Sequence, residues 1–143
     1  MGQIEKKPMV GVALVVKNSI GEILLGKRKG SHGAGKYALA GGHLEFGESF
    51  EECCIRELKE ETNLDGTSVE PLCFVNNPSV EKNSDIAHYV TLYFFVRVLD
   101  CDILKNVETD KNEGWEWHDI CNLPRPLFLK VGEVLSRKDV KEW

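Results

Sequence analysis

Glu57, Glu60 and Glu61 stand at i, i+3 and i+4, a spacing that crowds three carboxylates onto one face of a helix. Like charges so placed cost an exposed helix about 0.2–0.5 kcal/mol per pair, and only Arg56 and Lys59 lie near enough in sequence to offset them. A divalent cation is the expected partner. Mg²⁺ takes oxygen ligands, few of them from protein, and shares the rest with water and substrate phosphates. Carboxylates at i and i+4 can meet at one such ion, and a glycine carbonyl, unobstructed by a side chain, can add another oxygen. Gly42 is the natural donor of that carbonyl. Taken alone, the three acids read equally well as a solvated helix face.

The elements around them fit the first reading. Ser49 with Glu52 three residues later has the form of a capping box, so the helix should begin at Phe50. Phe50, Cys54 and Leu58 then form an apolar stripe at four-residue spacing, with Cys53-Cys54 read as small buried residues. Ahead of the helix, residues 10–16 are β-branched and apolar and predict a strand buried on both faces. Turn residues at 17–21 lead to a second strand at 22–28, and the two read as a hairpin. A glycine loop at 30–35 and a short strand at 37–40 deliver the chain to Gly41. Beyond the helix, strands are expected at 67–76 and 88–99 with a polar loop at 77–85 between them. A short alternating strand follows at 114–117, where Trp115 and Trp117 should pack the sheet, and residues 127–135 read as a closing helix. The fold class is α/β of the α+β kind: a mixed sheet sandwiched between helices.

At 143 residues with no linker-like stretch, the chain reads as one domain over 1–143 with its core at about 9–135. A formal charge of −5 argues against a nucleic-acid polymer or an anionic membrane as partner, and leaves room for a small anionic ligand. Five cysteines, odd in number and without C-x-x-C spacing, suggest neither a disulfide framework nor a zinc site and suit a reducing, cytoplasmic setting. No stretch is apolar enough for a signal peptide or a membrane span. Met1-Gly2 raises myristoylation, which Lys6 argues against.

Gly42, five residues, Glu48, seven residues, Arg56-Glu57-Leu58, one residue, Glu60-Glu61, one residue and Asn63-Leu64 resembles the Nudix box, G-x5-E-x7-R-E-U-x-E-E-x-G-U. The one departure is Asn63 in place of glycine, at a helix end where asparagine is the next best residue for a left-handed conformation. The resemblance implies a Nudix fold and hydrolysis of a nucleoside diphosphate linked to another moiety, with Mg²⁺ or Mn²⁺ as cofactor. It makes the Gly42 carbonyl, Glu57, Glu60 and Glu61 metal ligands, with Glu48 and Arg56 in support. Metal ions can neutralise phosphate oxygens and lower the pKa of an attacking water, which suits this chemistry. A further glutamate outside the box is implied as ligand or base, and Glu108 and Glu113 are both candidates.

Residues 24–30, 41–48 and 106–117 look like the eukaryotic MutT-related nucleotide diphosphatases, which remove 8-oxo-dGTP and related purine triphosphates. That likeness implies conversion of a nucleoside triphosphate to monophosphate and pyrophosphate, and relatives in this subgroup form homodimers. Arg28 and His43 would contact phosphates, Arg28 because a planar guanidinium grips phosphate at two points. Leu39, Thr91, Phe128 and Leu129 fall where relatives hold the purine. Ala40 stands where a proline is usual, and Leu129-Lys130 where relatives carry tryptophan and glycine. Alternative substrates are an isoprenoid diphosphate or a nucleotide sugar, and the alternative of another kind is a non-catalytic nucleotide-binding module. His32, His88 and His118 show no ligand spacing and receive no role.

Overall fold

The computed structural model describes residues 6–30 and 32–143. Among the described residues, seven strands form two sheets. The larger contains β1 (Met9–Val15), β4 (Ala40–His43), β5 (Gly66–Lys82) and β6 (Asp85–Val98) in the order β4-β1-β6-β5, and β1–β6 is its parallel pair. The smaller contains β2 (Ile23–Arg28), β3 (Tyr37–Ala38) and β7 (Asn112–His118) in the order β3-β2-β7. Helices cover both sides, as a mixed sheet with two apolar faces requires. Val12, Leu14 and Val16 pack with Cys54 and Leu58 of α1 (Phe50–Thr62), whereas Val15 and Ile23 pack with Val131 and Leu135 of α2 (Val131–Leu135) and Val140 of α3 (Lys138–Glu142). Trp115 and Trp117 lie against the first of these clusters, as the sequence predicts.

α1 begins and ends where its caps dictate. The Ser49 hydroxyl accepts from the Glu52 N–H at 3.0 Å. Asn63 takes the left-handed conformation with φ 65°, its N–H donates to the Lys59 carbonyl, and its side-chain amide donates to the Ile103 carbonyl at 2.9 Å. Cys53, Cys54 and Leu58 are buried, but Phe50, expected on the same stripe, is half exposed, with its ring centroid 5.8 Å from that of Phe94.

Three expectations about elements change. β1 and β2 do not make a two-stranded hairpin: they meet at the Lys17–Ile23 bridge and then diverge into separate sheets. Because both strands are apolar on both faces, each is covered better inside its own sheet than beside the other. The polar run 77–85 is not a loop. β5 continues to Lys82, Asn83 and Ser84 turn with φ 50° and 64°, and β6 starts at Asp85. Two successive positive φ values are what a tight hairpin turn needs, and asparagine tolerates them well. The closing helix is two short helices, because residues 127–128 are extended along Tyr37, with Phe128 N–H donating to the Tyr37 carbonyl at 2.8 Å. Leu129, at φ 45°, then prevents helix from starting before Val131. No helix among the described residues is long and apolar enough to cross a membrane.

Candidate active site

β4 is the hinge of the site. Gly41 pairs with Ala13, Gly42 with Val12 and His43 with Gly11 on β1. A Cβ at Gly42 would fall 2.2 Å from the Glu57 carboxyl carbon, so the bare backbone is what lets that carboxylate rest against the strand. Beside it, the Gly41 N–H donates to Glu61 at 3.4 Å. The sequence thus brings the glycine strand and the acidic helix face into contact.

Arg56 organises the acids that surround it. Its Nε and Nη2 donate to the two Glu48 oxygens at 2.6 and 2.9 Å, and Nη1 donates to Glu57 at 2.8 Å and Glu60 at 3.3 Å. Nη2 also donates to the His43 carbonyl, tying helix to strand. This two-point grip pulls the Glu48 carboxyl down to about 2. Glu48 is therefore a fixed anion beneath the site rather than a wall of it.

Glu57 and Glu61 are displaced the other way. Burial raises the Glu57 carboxyl above its usual range against the pull of Arg56. Burial first, and then the charge of Glu57, pushes Glu61 up to about 8. A further positive charge between them would favour the ionised form of both. Among the described residues no three acidic, histidine or cysteine side chains converge enough to enclose an ion by themselves. A hard divalent cation keeps waters and can be held by one or two carboxylates from protein. The Gly42 cradle and the two strained carboxylates fit a hard divalent cation.

The shift of Glu61 has a measurable consequence for stability. Its folded value, about 8, lies above the ordinary 4.5, so between these values the folded chain binds more protons than the unfolded chain. Without metal, stability falls as pH rises from about 5 to 8, by on the order of 2 kcal/mol after allowance for partial solvent contact. Thermal melts without metal should show that decline, Glu61→Gln should flatten it, and a divalent cation should reverse it. An identical pH profile in Glu61→Gln would show that this carboxyl is not the cause.

The acids open onto a cavity of about 670 Å³. Gly42, Glu57, Glu60, Glu61, Arg56, Arg28, His43, Leu39, Thr91 and Phe128 all line it, so the sequence-predicted residues other than Glu48 and Glu113 share one space. Glu108 also lines it, and its charge acts on both Glu57 and Glu61. Glu113 points elsewhere, 3.7 Å from Lys27. Arg28 lies with its guanidinium 4.3 Å from the centre of the Phe128 ring and donates from Nε to the His32 carbonyl at 2.9 Å. Burial lowers its pKa, and the charge of Glu61 opposes that shift. Leu39 serves the apolar core and the cavity wall at once. Thr91 accepts from the buried Asn77 amide at 3.4 Å.

The floor and one wall were not foreseen. Gly11 and Ala13 of β1 pair with Thr91 and Tyr93 of β6, and with no side chain at one and a methyl at the other they leave a trough in the middle of the sheet. Tyr89, Thr91 and Tyr93 share a face at period two, so placing Thr91 in the site already implied its neighbours. His32, Lys82 and Lys111 also line the cavity. His32 meets the edge of Phe128 with ring centroids 5.1 Å apart and bonds through Nδ1 to the Glu81 carbonyl, contacts that local spacing does not reveal.

A mixed-sheet sandwich that joins a glycine strand, an arginine-clamped set of glutamates and a nucleotide-sized cavity defines a phosphoanhydride hydrolase. The chain belongs to the Nudix family: the family model described as NUDIX domain matches residues 7–137, and the protein is a Nudix hydrolase. It is 32% identical over 121 residues to an ADP-ribose pyrophosphatase of Methanocaldococcus jannaschii, covering 85% of this chain and 68% of the relative. It is 32% identical over 135 residues to the nucleoside triphosphatase NudI of an Enterobacter species, covering 92% and 87%. It is 30% identical over 114 residues to an oxidized purine nucleoside triphosphate hydrolase of Danio rerio, covering 79% and 68%. Among solved structures, a MutT NUDIX hydrolase from Burkholderia pseudomallei superposes with a TM-score of 0.81 at 27% identity, over 93% of this chain and 99% of the other. Nudix hydrolases act on nucleoside diphosphate derivatives and use divalent metal ions.

Proposed function

We propose that this chain hydrolyses nucleoside triphosphates to nucleoside monophosphate and pyrophosphate, oxidised purine deoxynucleotides such as 8-oxo-dGTP among them, with Mg²⁺ as its metal and Mn²⁺ as a substitute. The observation that carries this reading is the shared cavity, in which a helix of carboxylates and an apolar wall of Leu39 and Phe128 face one space with Arg28 between them. A nucleotide has those three parts: a metal-binding phosphate chain, a further anionic oxygen for a guanidinium, and a flat base. The triphosphatase and oxidized-purine hydrolase relatives support the triphosphate.

In this reading Glu57, Glu61 and the Gly42 carbonyl hold the cation, with Glu60 at the rim. Bound there, the cation supplies charge neutralisation at the phosphate oxygens and a lower pKa for water. The chain's own residues do the rest. Arg56 and Glu48 fix the rotamers of the acids, Glu108 is the further glutamate beside them, and Glu113 has no part. Arg28 and His43 hold phosphate oxygens, while Leu39, Thr91 and Phe128 receive the base. Water adds at phosphorus and gives its proton to solvent, the bridging P–O bond between the α- and β-phosphates breaks, and the departing phosphate keeps the electron pair of that bond. Residues 1–143 work as one domain, as a homodimer, in the cytoplasm, where free thiols stay reduced.

A panel of nucleoside triphosphates, ADP-ribose, a nucleotide sugar and an isoprenoid diphosphate, each with Mg²⁺, tests this by its products. Pyrophosphate and monophosphate from a triphosphate is the expected result. Monophosphate with a sugar phosphate would favour the ADP-ribose pyrophosphatase relative as the better guide. Flat, low activity on every nucleotide would overturn the proposal.

A further inference from the structure

The tip of the β5–β6 hairpin reaches the cavity and makes a chain of hydrogen bonds to β4. Lys82 Nζ donates to the Tyr89 hydroxyl at 2.7 Å and lies 5.4 Å from the centre of its ring. The same hydroxyl stands 3.0 Å from His43 Nε2, with the two ring centroids 5.5 Å apart and their planes tilted by 31°. All three side chains line the cavity that holds the glutamates.

Sheet register explains how residues on β4 and β6 meet across the strand between them. His43 pairs with Gly11 of β1, and Tyr89 pairs with Met9, so both project from the face on which Gly11 carries no side chain. The bond passes over β1 at that gap.

Donor bookkeeping fixes the first bond and leaves a proton for the second. An ammonium only donates, so the Tyr89 oxygen is an acceptor toward Lys82. The hydroxyl has one proton, and among the described residues His43 Nε2 is the partner left to take it. If Nε2 accepts, the proton of the neutral imidazole sits on Nδ1.

We propose that Lys82 and Tyr89 are positioning residues that hold His43 as an Nδ1–H donor to the phosphate chain of the substrate. The identity of the anion rests on the nucleotide reading above; the state of the imidazole does not. Lys82 and Tyr89 act through His43, and the tip of the hairpin thereby joins the part of the site that holds the phosphate chain.

Two measurements test this separately. Long-range ¹⁵N–¹H correlation spectra of the full chain, with the His43 signals assigned from His43→Gln, read which ring nitrogen is protonated. The Nδ1–H tautomer is expected in the wild-type chain, and Tyr89→Phe should populate the Nε2–H form. In kinetics with dGTP and Mg²⁺, Tyr89→Phe should raise KM about fivefold, the effect of one lost hydrogen bond, with kcat within about twofold. Lys82→Met should move both readouts in the same direction, and Lys82→Arg, which keeps the donor, should restore them. An Nε2–H tautomer in the wild-type chain, or a tautomer unchanged in Tyr89→Phe, overturns the proposal. Failure of the wild-type chain to cleave dGTP would count against the nucleotide reading, and the spectra would still decide the role of the hairpin.

Discussion

Glu57→Gln and Glu61→Gln should each lower turnover by about 10³-fold or more, equivalent to ~4 kcal/mol of transition-state stabilisation, in a chain that stays folded. Glutamine keeps the volume and one oxygen but removes the charge that a hard cation needs. Structural damage is not the expected cause. In Glu57→Gln, Arg56 loses the 2.8 Å ion pair but keeps both bonds to Glu48, so the link between helix and loop survives. In Glu61→Gln a carboxyl that burial and Glu57 hold out of its comfortable range is replaced by a neutral group, so the metal-free protein should become more stable above pH 5. Loss of function with a gain of metal-free stability is the signature of a residue kept for chemistry. Turnover measured beside circular dichroism and thermal melts checks both halves, and Mg²⁺-dependent activity retained in both variants would sink the mechanism.

The same two glutamates show what could be read in the sequence and what could not. Their spacing, the cap at Ser49 and the stop at Asn63 are local features, encoded within one helix turn of the residues concerned, and the structure reproduces them. The position of Thr91 in the cavity is legible only through resemblance, because a threonine in an apolar strand carries no local signal of its own. Other features depend on partners far along the chain. Whether residues 77–85 are loop or strand depends on pairing with β6, which compensates for weak β propensity, and polar side chains suit a hairpin arm with solvent beside it. The choice between Glu108 and Glu113 turns on which way β7 enters the smaller sheet. The helix expected over 127–135 loses its first turn to backbone bonds with Tyr37, about ninety residues upstream. Composition could not show any of this, since each outcome is a competition between a local preference and a distant hydrogen-bonding partner.

Gly41 and Gly42 should respond to the same substitution in opposite ways. A Cβ at Gly41 would lie 2.0 Å from the Val12 carbonyl oxygen and 3.1 Å from the Ala13 Cα, both backbone atoms of a strand held on two sides by β4 and β6. That backbone has nowhere to go. Gly41→Ala should therefore cost about 3 kcal/mol and lower Tm by roughly 10 °C. At Gly42 the atoms in the way are the Glu57 carboxylate, 2.2–2.4 Å from the new Cβ, which end a flexible side chain. Gly42→Ala should spare the fold, at about 1 kcal/mol, and move that carboxylate by an ångström or more, a displacement worth about 10²-fold in turnover. If the displaced carboxylate is the whole effect, adding Glu57→Gln to Gly42→Ala should cost far less than it does in the wild-type background. Additive losses in that double-mutant cycle would mean that Gly42 serves the site through its carbonyl alone, independently of the cradle it makes for Glu57.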